Sequence, residues 1–129
     1  MSAPYYLSDD QRAIRDLARE IARERIAPLA AHVDETGEYP HEQLKLLGQQ
    51  GLMGLHIPEA YGGLGLSHVY YNKALMLAGS ASPAVSVLLS AHQSIGVPQP
   101  IKLFGTEEQK QRFLPRCARS DISAFLLTE

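Results

Sequence analysis

A chain of 129 residues with a formal net charge of −2 lacks the basic surface of a nucleic-acid binder, and no block of Lys and Arg stands apart from acids to supply one locally. Its single cysteine, Cys117, excludes an internal disulfide, and 45% hydrophobic with 20% charged residues describes one packed domain rather than a disordered segment. The opening MSAPYYLSDDQR has no basic stretch leading into an apolar core, so it does not read as a secretion signal and a cytoplasmic location is expected.

The first element is announced by Ser8 and Gln11, a capping-box pair with Asp9 and Asp10 between them in the favourable first turn. Ile14, Leu17, Ala18 and Ile21 then form an apolar stripe, while arginines alternating with acids make a solvated opposite face. Pro28 is expected to kink or divide this helix before it resumes through Leu29 and Val33 to a break at Gly37. Pro40 can open a second helix with Leu44 and Leu47 on its buried edge, closed by Gly51 in a position suited to positive φ.

From Leu52 to Ser67 the chain reads as a structured loop with a short extended piece at Leu55 to Ile57. Gly62, Gly63 and Gly65 lack the spacing of a dinucleotide fingerprint, so turns and close backbone packing explain them better than phosphate binding. Ser67 can cap a third helix through Val69, Tyr70, Ala74, Leu75 and Leu77 to Gly79. Ser82 and Pro83 are suited to cap and start a fourth, SPAVSVLLSAHQSIG, whose apolar stripe is read as Ala84, Val87, Leu88, Ala91 and Ile95, with Leu89 beside them. No Lys, Arg, Asp or Glu occurs between Ala74 and Ile101, yet Gly79, Pro83, Pro98 and Pro100 interrupt the run, so it predicts parts of two core helices and no membrane span.

Ile101, Leu103 and Phe104 supply a short apolar patch. Thr106 with Gln109 then forms a second capping box, and Phe113 and Leu114 face inward before Pro115, which should interfere with helix continuation. The closing ISAFLLTE has the composition of a strand. The fold expected over residues 1–129 is therefore all-α, an up-down bundle of about five to six helices whose C-terminal residues start an extended strand.

No self-contained reaction centre emerges. His32, His41, His56, His68 and His92 show no metal-like spacing, and Cys117 has no neighbouring ligand in sequence. His92 lies on the apolar fourth helix, where a satisfied core histidine is a better reading than a catalyst. The acidic pairs Asp9–Asp10 and Glu107–Glu108 are explained as helix-start residues.

Three motifs in order carry more. IPEAYGGLGL at Ile57 to Leu66, FGTEEQKQRFLP at Phe104 to Pro115 and AFLLTE at Ala124 to Glu129 resemble successive marks of the N-terminal region of the acyl-CoA dehydrogenase family, over nearly the whole chain. AHQSIG at Ala91 to Gly96 further resembles members that handle very long acyl chains. The resemblance implies an enzyme of three domains, helical, β and helical, in which a glutamate removes the Cα proton of an acyl-CoA and FAD accepts hydride from Cβ. It places Phe125, Leu127 and Thr128 at the flavin, with buried exit-strand packing as the alternative. Ala91, Ser94, Ile95 and Gly96 would border the acyl tunnel or serve core packing.

No catalytic residue is assigned, because the segment of the base is not matched here and Glu129 matches the flavin motif. The resemblance implies an N-terminal domain, inactive alone, that meets its missing domains or a companion chain and has exposed apolar surface near AFLLTE favouring a homo-oligomer. The alternative is a non-catalytic helical interaction module derived from the family.

Overall fold

The computed structural model describes residues 7–126 and is all-α throughout that range. Seven α-helices follow in order among the described residues: α1 (Asp9–Ile21), α2 (Ala27–Thr36), α3 (His41–Gln49), α4 (His68–Ala81), α5 (Pro83–Ser90), α6 (Pro98–Phe104) and α7 (Glu107–Cys117). Two π turns, Ala22–Ile26 and Ala91–Ile95, join α1 to α2 and extend α5, so the chain behaves as six helical rods. No described helix is long and apolar enough to cross a membrane.

Local chemistry sets the starts. Ser8 accepts from the Gln11 amide and Gln11 returns the bond to Ser8 N–H, and Thr106 with Gln109 repeats the arrangement, so both capping boxes form. Ser82 caps α5 by accepting from Val85 N–H, with Pro83 in the first turn. Pro28 does not end its helix. The chain relaxes ahead of it, with Ala27 N–H reaching back five residues to the Ala22 carbonyl, which opens the helix where a proline ring would crowd the preceding turn. Pro98 and Pro100 both lie in the first turn of α6, where a missing N–H costs no helical bond.

Pro115 is a correction: α7 runs through it to Cys117. It falls in the last turn, flanked by the buried Leu114 and Cys117, whose packing outweighs the lost backbone bond.

The main core gathers Ile21, Ile26, Leu44, Leu47, Leu52, Leu55, Tyr71, Val85 and Leu89. α4 and α5 make its antiparallel hairpin: Ser86 Oγ donates to the Leu75 carbonyl at 3.0 Å and Tyr71 Oη donates to the Ser90 carbonyl at 3.4 Å. A smaller cluster of Ile57, Leu114, Cys117 and Ala118 lies where α7 ends. Between the two clusters, residues 52–57 are buried, but they make a 3₁₀ turn at Leu52–Gly54 and not the extended piece expected at Leu55 to Ile57. Gly63 folds back so closely that a Cβ there would collide with the Ile57 carbonyl, which accounts for a glycine at this position.

Two further expectations are overturned. The buried face of α5 is Val85 and Leu89, continued by His92 and Gln93, while Val87 and Ile95 of the expected stripe are 66% and 54% exposed. Residues 121–126 form no strand, and no β-strand exists among the described residues, so the C-terminal extended strand is corrected to an irregular segment. A strand requires a ladder partner, and this segment is instead held by two side chains, Arg116 on Asp121 and His92 on Ser123.

Candidate functional site

The site grows from the π turn Ala91–Ile95. Its i→i+5 geometry is closed by Gly96 N–H donating to the Ala91 carbonyl at 2.8 Å. This widened turn carries two buried polar side chains, His92 at 1% and Gln93 at 0% exposure, into the junction between the two cores. Gln93 Nε2 donates to the Leu52 carbonyl at 3.1 Å, and its Oε1 accepts from His56 N–H at 3.3 Å.

His92 faces the end of α7. One ring nitrogen, Nε2, lies 2.9 Å from the Cys117 carbonyl, and the other, Nδ1, lies 3.0 Å from both the backbone nitrogen and the hydroxyl of Ser123. A carbonyl can only accept and a backbone N–H can only donate, so the imidazole is neutral with its proton on Nε2. Burial holds its pKa below the ordinary histidine value, and the bond to Cys117 acts in the opposite direction. The Ser123 hydroxyl donates to the His92 carbonyl at 3.0 Å. Gly96 completes the contact: a Cβ there would overlap Ser123 Oγ, so the chain leaving α7 passes directly over the glycine.

Ala91 is half-buried and Gly96 buried, whereas Ser94 is exposed with its hydroxyl turned into its own helix, donating to the Ser90 carbonyl at 2.7 Å. Ile95 stands open on the surface. Phe125, two residues beyond the Ser123 contact, is 55% exposed and Leu126 97% exposed, so Phe125 is not a packed core residue. Leu127 and Thr128 lie outside the described residues. The structure thus joins Gly96 to the segment of Phe125 and leaves Ser94 and Ile95 open.

Reading the sequence for sites misses Gln93 and Ser123. Gln93 has a signal: it falls four residues after Leu89, on the face that proves to be buried.

A second polar group lies on the far side of the loop. The His56 ring is 4.4 Å from that of His68 and 4.1 Å from that of Tyr71, and Nδ1 donates to the Leu66 carbonyl at 3.2 Å. Burial, followed by the charges His68 and Lys102 would add, lowers its pKa. Lys102 Nζ donates to the His56 carbonyl at 3.4 Å and is itself lowered by burial. Among the described residues no three or more His, Cys, Asp or Glu side chains gather in a metal-holding group.

Residues 8–121 match the model of the acyl-CoA dehydrogenase N-terminal domain. The probable acyl-CoA dehydrogenase FadE10 of Mycobacterium tuberculosis is 55% identical over 97 residues, 75% of this chain and 15% of that protein. An acyl-CoA dehydrogenase of Bacillus subtilis is 42% identical over 96% of this chain and 33% of its own length. Among solved structures, the acyl-CoA dehydrogenase of Bacillus anthracis complexed with FAD superposes with a TM-score of 0.85 at 31% identity, covering 98% of this chain and 22% of that one. The butyryl-CoA dehydrogenase of Megasphaera elsdenii gives 0.80 at 30% identity, covering 90% and 31%. The chain therefore spans a third or less of these relatives' lengths, in their N-terminal region, and it belongs to the acyl-CoA dehydrogenase family as its N-terminal helical domain.

Proposed function

We propose that this domain forms one wall of a flavin and acyl-CoA site, the rest of which comes from the family's other domains, and that it does no chemistry by itself. The observation that carries this reading is Phe125: an aromatic ring on a pinned segment, more than half exposed and outside both hydrophobic clusters. Such a ring suits the planar face or edge of an isoalloxazine. Bound FAD would supply the hydride acceptor for Cα–Cβ dehydrogenation. Phe125, with Leu127 and Thr128, would orient the ring, while Ala91, Ser94, Ile95 and Gly96 would border the acyl chain.

The likeness of AHQSIG to very-long-chain members does not select an acyl length, since relatives named for short-chain and isovaleryl substrates match at 37% and 33% identity. Phe104 at 87% and Leu126 at 97% exposure are large apolar side chains left for the remaining domains, or a companion chain, to cover. The buried free thiol of Cys117 fits a reducing, cytoplasmic setting.

The test replaces the N-terminal third of the B. subtilis relative with this chain. A folded chimera that retains flavin and oxidises acyl-CoA, and that loses flavin on Phe125→Ala, bears the reading out. A folded chimera without flavin, indifferent to Phe125, leaves the domain as an interaction module.

A further inference from the structure

We propose that His92 is a positioning residue, a latch that fixes the path of the segment leaving α7 by accepting the Ser123 amide at Nδ1 while donating from Nε2 to the Cys117 carbonyl. The latch is separate from the wall-forming role and rests on it only for its consequence at Phe125.

Three observations converge. Segment 121–126 has no ladder of backbone bonds: Asp121 is held to Arg116 by its N–H on the carbonyl at 3.0 Å and by its carboxylate on the guanidinium at 2.7 Å, and past Asp121 the hydrogen bonds to the bundle pass through Ser123. Those ties end on both polar ends of one residue: the ring nitrogen of His92 and its backbone carbonyl. The carbonyl is in reach because Gly96 has no Cβ to hold Ser123 off. The imidazole bridges two different elements, the end of α7 and the exit segment, with a donor at one nitrogen and an acceptor at the other, separated by the width of the ring. An apolar side chain of the same volume would fill the space and hold neither.

Phe125 is two residues past the latch. Two residues of free backbone leave little room to wander when Ser123 is fixed, whereas a segment released at Ser123 is free back to Asp121. The latch thus converts an exposed ring into one with a defined position, which is what a preorganised contact requires.

The experiment uses the chain as it is. Nitrogen-15 spectra of the ring report the tautomer in the wild type without any substitution: proton on Nε2 is expected, and proton on Nδ1 overturns the latch. Amide exchange at Ser123 then separates the two ends of the ring. His92→Asn places its carbonyl oxygen near the Nδ1 position and should keep most of the Ser123 protection. His92→Gln reaches the Nε2 position, keeps the Cys117 bond, and should raise Ser123 exchange about tenfold or more, the equivalent of one lost hydrogen bond. Gly96→Ala should raise it as well with the imidazole intact. Equal exchange in the Asn and Gln variants, or unchanged exchange in Gly96→Ala, defeats the proposal. These readouts need no flavin, so an intact latch beside a chimera that ignores FAD would count against the functional reading alone.

Discussion

The side-chain oxygen of Gln93 accepts the backbone N–H of His56, thirty-seven residues earlier, inside the core. Its amide nitrogen meanwhile donates to Leu52, so one carboxamide meets both a donor and an acceptor of the buried segment 52–57. Gln93→Ala leaves His56 N–H and the Leu52 carbonyl without these partners and opens a cavity, for an expected loss of about 2–4 kcal/mol. Urea denaturation of the wild type and the variant measures it. A loss below about 0.5 kcal/mol would mean that the loop finds other partners.

Gly63 should tolerate nothing larger. A Cβ would meet the Ile57 carbonyl and Cβ, both part of a loop already buried at Ile57, so Gly63→Ala is expected to cost about 2 kcal/mol or more. Gly51→Ala is the control: its φ is 76° but nothing lies within 4 Å, which limits the cost to the backbone, about 1 kcal/mol. Thermal melts of both variants should rank them in that order.

Cys117 should be a slow thiol. Burial raises its pKa most, Asp121 adds to the rise and Arg116 opposes it, so little thiolate is available at neutral pH. Reaction with a disulfide reagent at pH 7.5 is expected to run at least about tenfold slower in the folded chain than in denaturant. A native rate equal to the unfolded one would place the thiol at the surface.

The parts of this structure legible in the sequence are those decided within one turn. Ser8 with Gln11, Thr106 with Gln109, and Ser82 with Pro83 name helix starts because cap and partner are close neighbours along the chain. The face of α5 was not legible for the opposite reason: Ala84, Val85, Val87, Leu88 and Leu89 are all apolar, so the pattern has no contrast and only packing against α4 chooses Val85 and Leu89. ISAFLLTE looks like a strand by composition, but strand formation depends on a partner, and Ser123 has instead a histidine thirty-one residues away. The flavin contact proposed for Phe125 rests on the family resemblance and on the exposure of the ring. Neither hydropathy nor spacing tells an exposed phenylalanine from a buried one, so the 55% exposure of Phe125 was not legible in the sequence.

The exposed apolar end also carries a prediction about association. Ile122, Phe125 and Leu126 at the exit segment are each at least 46% exposed, as expected near AFLLTE. On its own, the chain should self-associate at high concentration, and Leu126→Asp should shift sedimentation toward the monomer without changing helical content. An unaltered sedimentation profile would assign any association to another face.

Acid should loosen the domain through its two buried histidines before the carboxylates are reached. His56 and His92 both have pKa values below the ordinary 6.5, by burial first in each case. The unfolded chain therefore takes up protons at these positions at a higher pH than the folded chain does. Their contribution to stability is complete above about pH 6.5 and is lost as the pH falls below it, at no more than about 1.4 kcal/mol per pH unit for each histidine. In His92→Asn the slope of unfolding free energy against pH between 6.5 and 5.5 should fall by up to one proton's worth. Ser123 amide protection in the wild type should weaken at lower pH, as the pH falls through the lowered folded-state pKa, because a proton on Nδ1 faces the Ser123 N–H with another donor. A pH slope identical in wild type and variant would show that His92 titrates alike in the folded and unfolded chains, and would remove burial as the force that keeps its ring neutral.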